Sequence, residues 1–259
     1  MSKLNEAIHT IHYLDRMSLE NKWINNIHPL VKLVVTFVYI SVLISFNKYN
    51  LTGLAGMSIY IAVVFILGRI SLRQSIKQLR GIIIILCIIG IANPFLDKKV
   101  LLDIGTVKIT GGVISMATLI AKGVLSVLAS YFLIATTSIE NICYALRIIH
   151  IPKIFVTVVL LIYRYIILFL KEVERMTTAY ELRAPNQKGI HIKVWGSMVG
   201  MLLLRSIDRV QTVYESMLLR GFDGEFKMKS SGESLLKSYI YCIFWVGAII
   251  FFRLHQSDY

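Results

Sequence analysis

The chain has 259 residues, of which 56% are apolar and 17% are charged, and its mean hydropathy is +0.68. Soluble domains are close to half apolar and a quarter charged, so this composition indicates a membrane protein. The net charge is +13, but the sequence contains no dense run of basic residues interleaved with aromatic residues, which argues against a nucleic-acid partner.

The N-terminal region, residues 1–29, contains charges and no long apolar run. A cleavable signal peptide is therefore not expected, and the first membrane span would act as the targeting signal. His9 and His12 form an HxxH pair, but no third ligand is set by the spacing, so no metal site is predicted. The cysteines are isolated within apolar stretches and are expected to behave as small buried hydrophobic residues rather than disulfide partners. They are Cys87, Cys143 and Cys242.

Five apolar segments are predicted to be membrane-spanning helices. They are residues 30–46, 51–68, 81–96, 113–136 and 238–252. The loop at 69–80 has four basic residues and no acid, which predicts a cytoplasmic location and an N-terminus on the same side. Pro94 is expected to stop or kink the third helix. Residues 97–112 are then outside and are predicted to form a small hairpin with Gly105 at its turn.

Residues 154–170 are apolar enough to be a further span, but two arguments oppose that interpretation. Arg164 near the centre would cost about 2.5–3.5 kcal/mol on insertion. Half of the 28 basic residues lie in 137–237, and a crossing would place most of those that follow it outside the cell. Residues 194–204 cannot restore the count, because an 11-residue helix is only about 16 Å long. We therefore expect 154–170 to begin a long helix along the inner membrane face, with the C-terminus outside.

Two long helices are predicted in the cytoplasmic region, at 152–184 and 193–220, with lengths of about 50 and 42 Å. Each has an apolar seam with alternating spacings of four and three, and the two helices are expected to pack on one another along these seams. The first seam comprises Ile162, Ile166, Phe169, Val173, Met176 and Tyr180. The second comprises Leu203, Ile207, Val210, Tyr214 and Met217. Pro185 and Gly221 are predicted to end the first and second helix.

Both helices end in a short element that contains arginine, ELRAP with Arg183 and LLRGF with Arg220. An arginine in a last helical turn can simply complement the helix dipole. A guanidinium at the tip of a rigid helix is also a directional donor to carboxylates and carbonyl oxygens of another protein. The repetition of the element on two helices favours the second interpretation.

These segments together resemble the T component of energy-coupling factor (ECF) transporters, a subgroup of prokaryotic ABC importers. The resemblance covers nearly the whole chain. It rests on HYLDRMSLENKWINNIHPLVKL near the N-terminus, NPF, ATTSIENICYALRIIHIPK, the YRY around Arg164, ELRA, and LLLRSIDRVQTVYESMLLRGFDGEF. The LDR and RGFDG stretches are most similar to the cobalt-uptake branch, so cobalt or nickel is the expected substrate, with vitamin uptake as the alternative.

The resemblance implies three cytoplasmic coupling helices, of which 139–149 would be the first and the two long helices would be the second and third, crossing each other. It also implies that Arg183, Ala184, Arg220 and Gly221 dock on two cytoplasmic ATPase subunits. Leu-Arg-Ala and Leu-Arg-Gly replace the more common Ala-Arg-Gly here, and the first lacks its glycine. A separate substrate-binding membrane subunit is the other implied partner, in a prokaryotic cytoplasmic membrane. Arg164 is assigned a structural or interface role, and no cofactor is expected.

The sequence thus predicts an all-α integral membrane protein with five transmembrane helices and a cytoplasmic coupling domain of about three amphipathic helices. The predicted domains are a four-span membrane domain at 1–137, coupling helices at 138–233 and a final span at 234–259. No GxxxxGK[ST] motif is present, so nucleotide hydrolysis belongs to partners. A polytopic membrane enzyme is the rival, although no DxxxD-type aspartate pair supports it. A self-sufficient carrier would show a repeat of spans, and none is found.

Overall fold

A computed structural model describes residues 2–20, 22–48, 50–96, 100–104, 107–185, 189–224, 226 and 235–255. The helices are α1 (Ser2–Leu19), α2 (Pro29–Ser45), α3 (Leu51–Gly68), α4 (Leu72–Gln78), α5 (Arg80–Ile91), α6 (Asn93–Leu96), α7 (Gly111–Thr136), α8 (Ile139–Ile148), α9 (Lys153–Arg183), α10 (Ile192–Leu219) and α11 (Leu235–His255). Strands β1 (Val100–Ile104) and β2 (Val107–Thr110) form an antiparallel pair between α6 and α7. The class is all-α, and the small hairpin lies where it was predicted. Its predicted turn residue, Gly105, lies outside the described residues.

The contacts group the chain into two units. Unit 1 comprises Met1–Arg16 and Ile139–Lys229, and it contains α8, α9 and α10. Unit 2 comprises Met17–Ser138 and Ser230–Tyr259, and it contains the other apolar helices. The domain boundaries predicted from the sequence separate membrane-spanning segments from cytoplasmic ones. This division stays a prediction.

The core of unit 2 is formed mainly by α2, α3 and α7, with α11 packed on α2. Its largest fully buried side chains include Tyr39, Leu43, Val64 and Phe65. The buried Tyr39 hydroxyl donates to the Met57 carbonyl oxygen at 3.1 Å, so this polar group is satisfied inside an apolar core.

Lys32, in the first turn of α2, is buried within unit 2. Its Nζ donates to the Thr136 carbonyl oxygen at 2.8 Å and to the Asn25 carbonyl oxygen at 3.2 Å. Because Thr136 is the last residue of α7, the ammonium complements the negative end of that helix dipole. The His28 amide donates to Ser238 Oγ at 2.9 Å, so the start of α2 also holds the start of α11.

The helices that are long and apolar enough to cross a membrane match the predicted spans only in part. Four of the described helices are long and apolar enough to cross a membrane, namely α3, α7, α9 and residues Leu236–Leu254 of α11. Helices α2 and α5 are apolar but shorter. The set therefore includes α9, which the sequence analysis placed along the membrane face, and the count of five spans stays a prediction.

The third predicted span is interrupted. Helix α5 ends at Ile91 and α6 begins at Asn93, so the chain departs from one continuous helix just before Pro94, as expected from the missing amide of proline. At 12 residues, α5 is about 18 Å long. The loop predicted at 69–80 also contains a helix, α4, because its Arg, Lys and Gln residues are good helix formers.

Candidate functional site

The loop that follows α10 is held against α8 and the start of α9. Arg147 Nη1 donates to the Phe226 carbonyl oxygen at 3.2 Å, and Thr157 Oγ1 donates to the Gly224 carbonyl oxygen at 3.4 Å. The rings of Phe222 and Phe226 lie 5.2 Å apart. These contacts position the C-terminal turn of α10, which contains Arg220.

Helices α9 and α10 run in opposite directions where they meet. Near the start of α9, Thr157 contacts Gly224, which follows the end of α10. Farther along α9, the Glu172 carboxylate forms an ion pair with the Arg205 guanidinium. These contacts extend from the start of α9 to Glu172, about two-thirds of the way along the helix.

The first predicted tip is the end of α9. The helix ends at Arg183, and the Ala184 amide still donates to the Tyr180 carbonyl oxygen at 3.0 Å before Pro185. This confirms that the helix stops before the proline. The Arg183 side chain is exposed, and Leu182 beside it is 78% exposed.

The second predicted tip ends in a Schellman motif. The Gly221 amide donates to the Leu218 carbonyl oxygen at 2.9 Å, and the Phe222 amide donates to the Met217 carbonyl oxygen at 3.0 Å. Gly221 has a φ of +75°, a conformation that glycine adopts without the steric cost other residues incur, which confirms it as the helix stop. Arg220 is the exposed cap residue, and Leu219 before it is 90% exposed.

The two arginines lie at separate places in unit 1. Arg220 lines the same cavity as Arg164, and Arg183 is 19 residues farther along α9, or about 28 Å at 1.5 Å per residue. Each tip presents an exposed leucine next to its arginine. Leu182 and Leu219 were not among the predicted site residues, although both elements share the Leu-Arg dipeptide.

The residues of the predicted seams differ in solvent exposure between α9 and α10. On α9, Ile162 and Ile166 are exposed, whereas the other four residues of the predicted seam are half-buried. These are Phe169, Val173, Met176 and Tyr180.

On α10, four of the five predicted seam residues are exposed and only Met217 is half-buried, and the packing of this seam against α9 stays a prediction. The four are Leu203, Ile207, Val210 and Tyr214. The half-buried side of the helix is rotated away from them and comprises Val194, Met198, Leu202, Ser206, Val213 and Met217. Both sides of the helix are apolar, so spacing alone could not identify which side is the more buried.

The exposed apolar side of α10 is continuous along the helix. Successive members are three or four residues apart, so they share one face. Every one of them is at least 47% exposed. They are Ile192, Trp195, Val199, Leu203, Ile207, Val210, Tyr214 and Leu218, and we call this set the α10 stripe.

The first half of α9 is also exposed on one side. Apart from Leu168, which is 38% exposed, its exposed apolar side chains fall within an arc of about 140° at 100° per residue. They are Ile154, Phe155, Val158, Val159, Ile162 and Ile166. The buried Thr157 and the exposed Arg164 lie on the opposite side of the helix. This segment is amphipathic, with its charge and its hydrogen-bonded loop contact on one side and bare apolar surface on the other.

Arg164 lines a cavity of about 390 Å³ between α9, α10 and the loop that follows α10. Arg209 and Arg220 line it as well, together with the rings of Tyr165 and Phe222. The described lining residues include no carboxylate. Arg164 is therefore not isolated in an apolar helix, and it belongs to a group of three guanidinium groups.

The remaining candidates provide no described metal or nucleophilic site. His9 and His12 are exposed on α1, and the described residues contain no group of three His, Cys, Asp or Glu side chains able to hold a metal. Burial raises the pKa of the Cys143 thiol, and the nearby Glu140 carboxylate raises it further, which disfavours the reactive thiolate.

Comparison with known proteins identifies relatives that align with most of the chain. A family described as CbiQ, cobalt transport protein, matches residues 20–230. Uncharacterized protein MJ1571 of Methanocaldococcus jannaschii is 27% identical, with 91% of this chain and 86% of that protein covered.

Two further relatives are named energy-coupling factor transporter transmembrane protein EcfT. The protein from Thermosediminibacter oceani is 24% identical, and the protein from Ruminiclostridium cellulolyticum is 25% identical. In both comparisons 81% of this chain and 84% of the relative are covered.

Proposed function

We propose that this chain, which belongs to the CbiQ cobalt transport protein family and is the transmembrane component of an energy-coupling factor transporter, transmits ATP-driven motion to a substrate-binding membrane subunit. The observation that carries the proposal is the pair of exposed Leu-Arg tips on two long helices of one unit. Each tip docks on a cytoplasmic ATPase subunit, and α9 and α10 act as levers between the ATPase subunits and the membrane.

The one-sided surface of α9 supports its place on the inner membrane face. A helix that crosses a bilayer alone meets lipid on all sides, whereas an interfacial helix has one apolar side in the lipid and a polar side in water. The exposed arc of about 140° fits the second case, with Arg164 on the water side. Both Arg183 and Arg220 are then in the compartment that contains ATP.

The part of the α10 stripe from Ile192 to Ile207, which lies outside the cavities between α9 and α10, is the surface for the substrate-binding membrane subunit. Large exposed apolar patches on a folded protein mark interaction sites. A helix with a bare apolar side can pack against the helices of a second membrane protein by ridges into grooves. Because α10 also contains Arg220 at its end, motion of an ATPase subunit would reach the stripe directly through the helix.

The substrate is cobalt or nickel, in agreement with the family description and the LDR and RGFDG stretches. Vitamin uptake is the second candidate, because two relatives are named for energy coupling without a substrate. Uptake of radioactive cobalt by cells that express the complete transporter, compared with uptake of labelled vitamins, distinguishes the two.

A double substitution in the α10 stripe tests the coupling assignment. We expect Leu203→Asp with Ile207→Asp to lower co-purification of the substrate-binding subunit about tenfold while the ATPase subunits stay bound, because two carboxylates would have to lose water in the interface. Both positions are exposed, so the fold should be preserved. The control is Gln211→Asp, an exposed position outside the stripe. Unchanged recovery of the substrate-binding subunit would contradict the assignment.

A further inference from the structure

The cavity that contains Arg164, Arg209 and Arg220 places three positive charges around one space. Like charges at short range repel one another, and the lining residues that the structure describes supply no carboxylate to offset this. Guanidinium groups form strong paired hydrogen bonds to phosphate oxygens. The cavity is therefore suited to an anion with several oxygens.

Other polar groups in the cavity are already engaged with the backbone. Ser216 Oγ donates to the Thr212 carbonyl oxygen at 2.7 Å, and Thr212 Oγ1 donates to the Asp208 carbonyl oxygen at 2.9 Å. The arginines are thus the main donors for a ligand in this cavity.

A second cavity of about 270 Å³ adjoins the first, and the two share six lining residues. The shared residues are Leu161, Tyr165, Arg209, Val213, Met217 and Phe222. The remainder of the second cavity is lined by apolar and aromatic side chains, namely Ile162, Phe169, Val210 and Tyr214. A basic compartment beside an apolar groove is complementary to an amphiphile, a molecule with a charged head and an apolar tail.

The orientation of the two compartments agrees with the polarity of α9. Ile162 and Phe169, which line the apolar groove, lie on the side of the exposed apolar arc, whereas Arg164 lies on the opposite side. A lipid entering from the membrane would therefore place its acyl chain in the groove and its headgroup among the arginines.

We propose that these joined cavities bind one anionic phospholipid, with its phosphate held by Arg164 and Arg209 beside the Arg220 turn. Basic pockets at the cytoplasmic side of membrane proteins bind such headgroups. The bound phosphate would offset the repulsion among the arginines and steady the end of α10. The inference rests on the inner-face placement of α9 in the proposed function.

The test uses the purified full chain in a neutral detergent, with lipid retention measured by native mass spectrometry. Palmitoyl-oleoyl-phosphatidylglycerol should be retained about tenfold better than phosphatidylcholine with the same chains. Arg164→Gln with Arg209→Gln should lower this preference about fivefold or more, and Arg164→Lys with Arg209→Lys should keep most of it. The matched control is Arg175→Gln, an arginine of α9 with 81% side-chain exposure outside both cavities.

Two additional probes identify the source of the phosphate. Inorganic phosphate and glycerophosphoglycerol, which has no acyl chains, should not displace the lipid at equal concentration. Displacement by either, equal retention of the two lipids, or an unchanged preference in the glutamine variant would overturn the proposal. Co-purification of the ATPase subunits, measured on the same variants, reports separately on the proposed function.

Discussion

Replacing Arg220 by glutamate is expected to lower co-purification of the ATPase subunits about tenfold or more and to reduce substrate uptake to background. Loss of a charged hydrogen-bonded pair in an interface costs about 2–5 kcal/mol, and reversal of the charge adds repulsion. Arg220 is exposed at the end of a capped helix, so the substitution should leave the fold intact. Quantitative pull-down from membranes and uptake of radioactive cobalt measure the two effects.

Two companion variants make the Arg220 result specific. Arg220→Lys should retain partial activity, because lysine keeps the charge but loses the paired donors of the guanidinium. Arg73→Glu reverses an exposed charge on α4, in the other unit, and should behave as the wild type. Normal uptake and normal ATPase recovery in the Arg220→Glu variant would contradict docking through this tip.

Reversing the charge of either Glu172 or Arg205 alone is expected to uncouple ATP hydrolysis from transport. Either single reversal, Glu172→Arg or Arg205→Glu, places like charges where α9 and α10 meet. Glu172 also faces Arg175 at 3.7 Å, so its reversal brings three positive charges together. We expect each single variant to lose roughly fivefold in substrate moved per ATP hydrolysed, equivalent to about 1 kcal/mol of coupling.

The double variant provides the internal control for this pair. Combining Glu172→Arg with Arg205→Glu restores the attraction, and we expect transport per ATP to return to within about twofold of the wild type. Measurements in proteoliposomes of both ATP hydrolysis and uptake give the ratio directly. If the losses in transport per ATP of the two single variants were additive in the double variant, the ion pair would not contribute to coupling between α9 and α10.

Much of the architecture could be predicted because local chemistry dictates it. Pro185 ends α9 by excluding helical geometry in the residue before it, and Gly221 ends α10 by adopting a positive φ. The hairpin between α6 and α7 was also indicated by composition. These features depend on a few neighbouring residues, and therefore spacing and residue type are sufficient.

The orientation of α10 could not be predicted, since it depends on what surrounds the helix. Leu203 and Leu202 are equally apolar, yet the first is exposed and the second is half-buried. A helix that is apolar on more than one side offers no sequence criterion for which side meets a neighbour in the same chain. The cavity around Arg164 was equally hidden, because Arg209 and Arg220 reach it only through the antiparallel course of α9 and α10.

The central claim, that the turn after α10 lies on the cytoplasmic side, is tested most directly by labelling Asp223→Cys in intact cells. Asp223 is exposed beside the Arg220 turn, and the native cysteines Cys87, Cys143 and Cys242 would be replaced by alanine. A cysteine at Thr106, in the predicted outer loop, serves as the control. We predict that a membrane-impermeant maleimide labels the Thr106→Cys variant in intact cells but reaches Asp223→Cys only after permeabilisation. Labelling of Asp223→Cys in intact cells would place the turn outside and contradict the account.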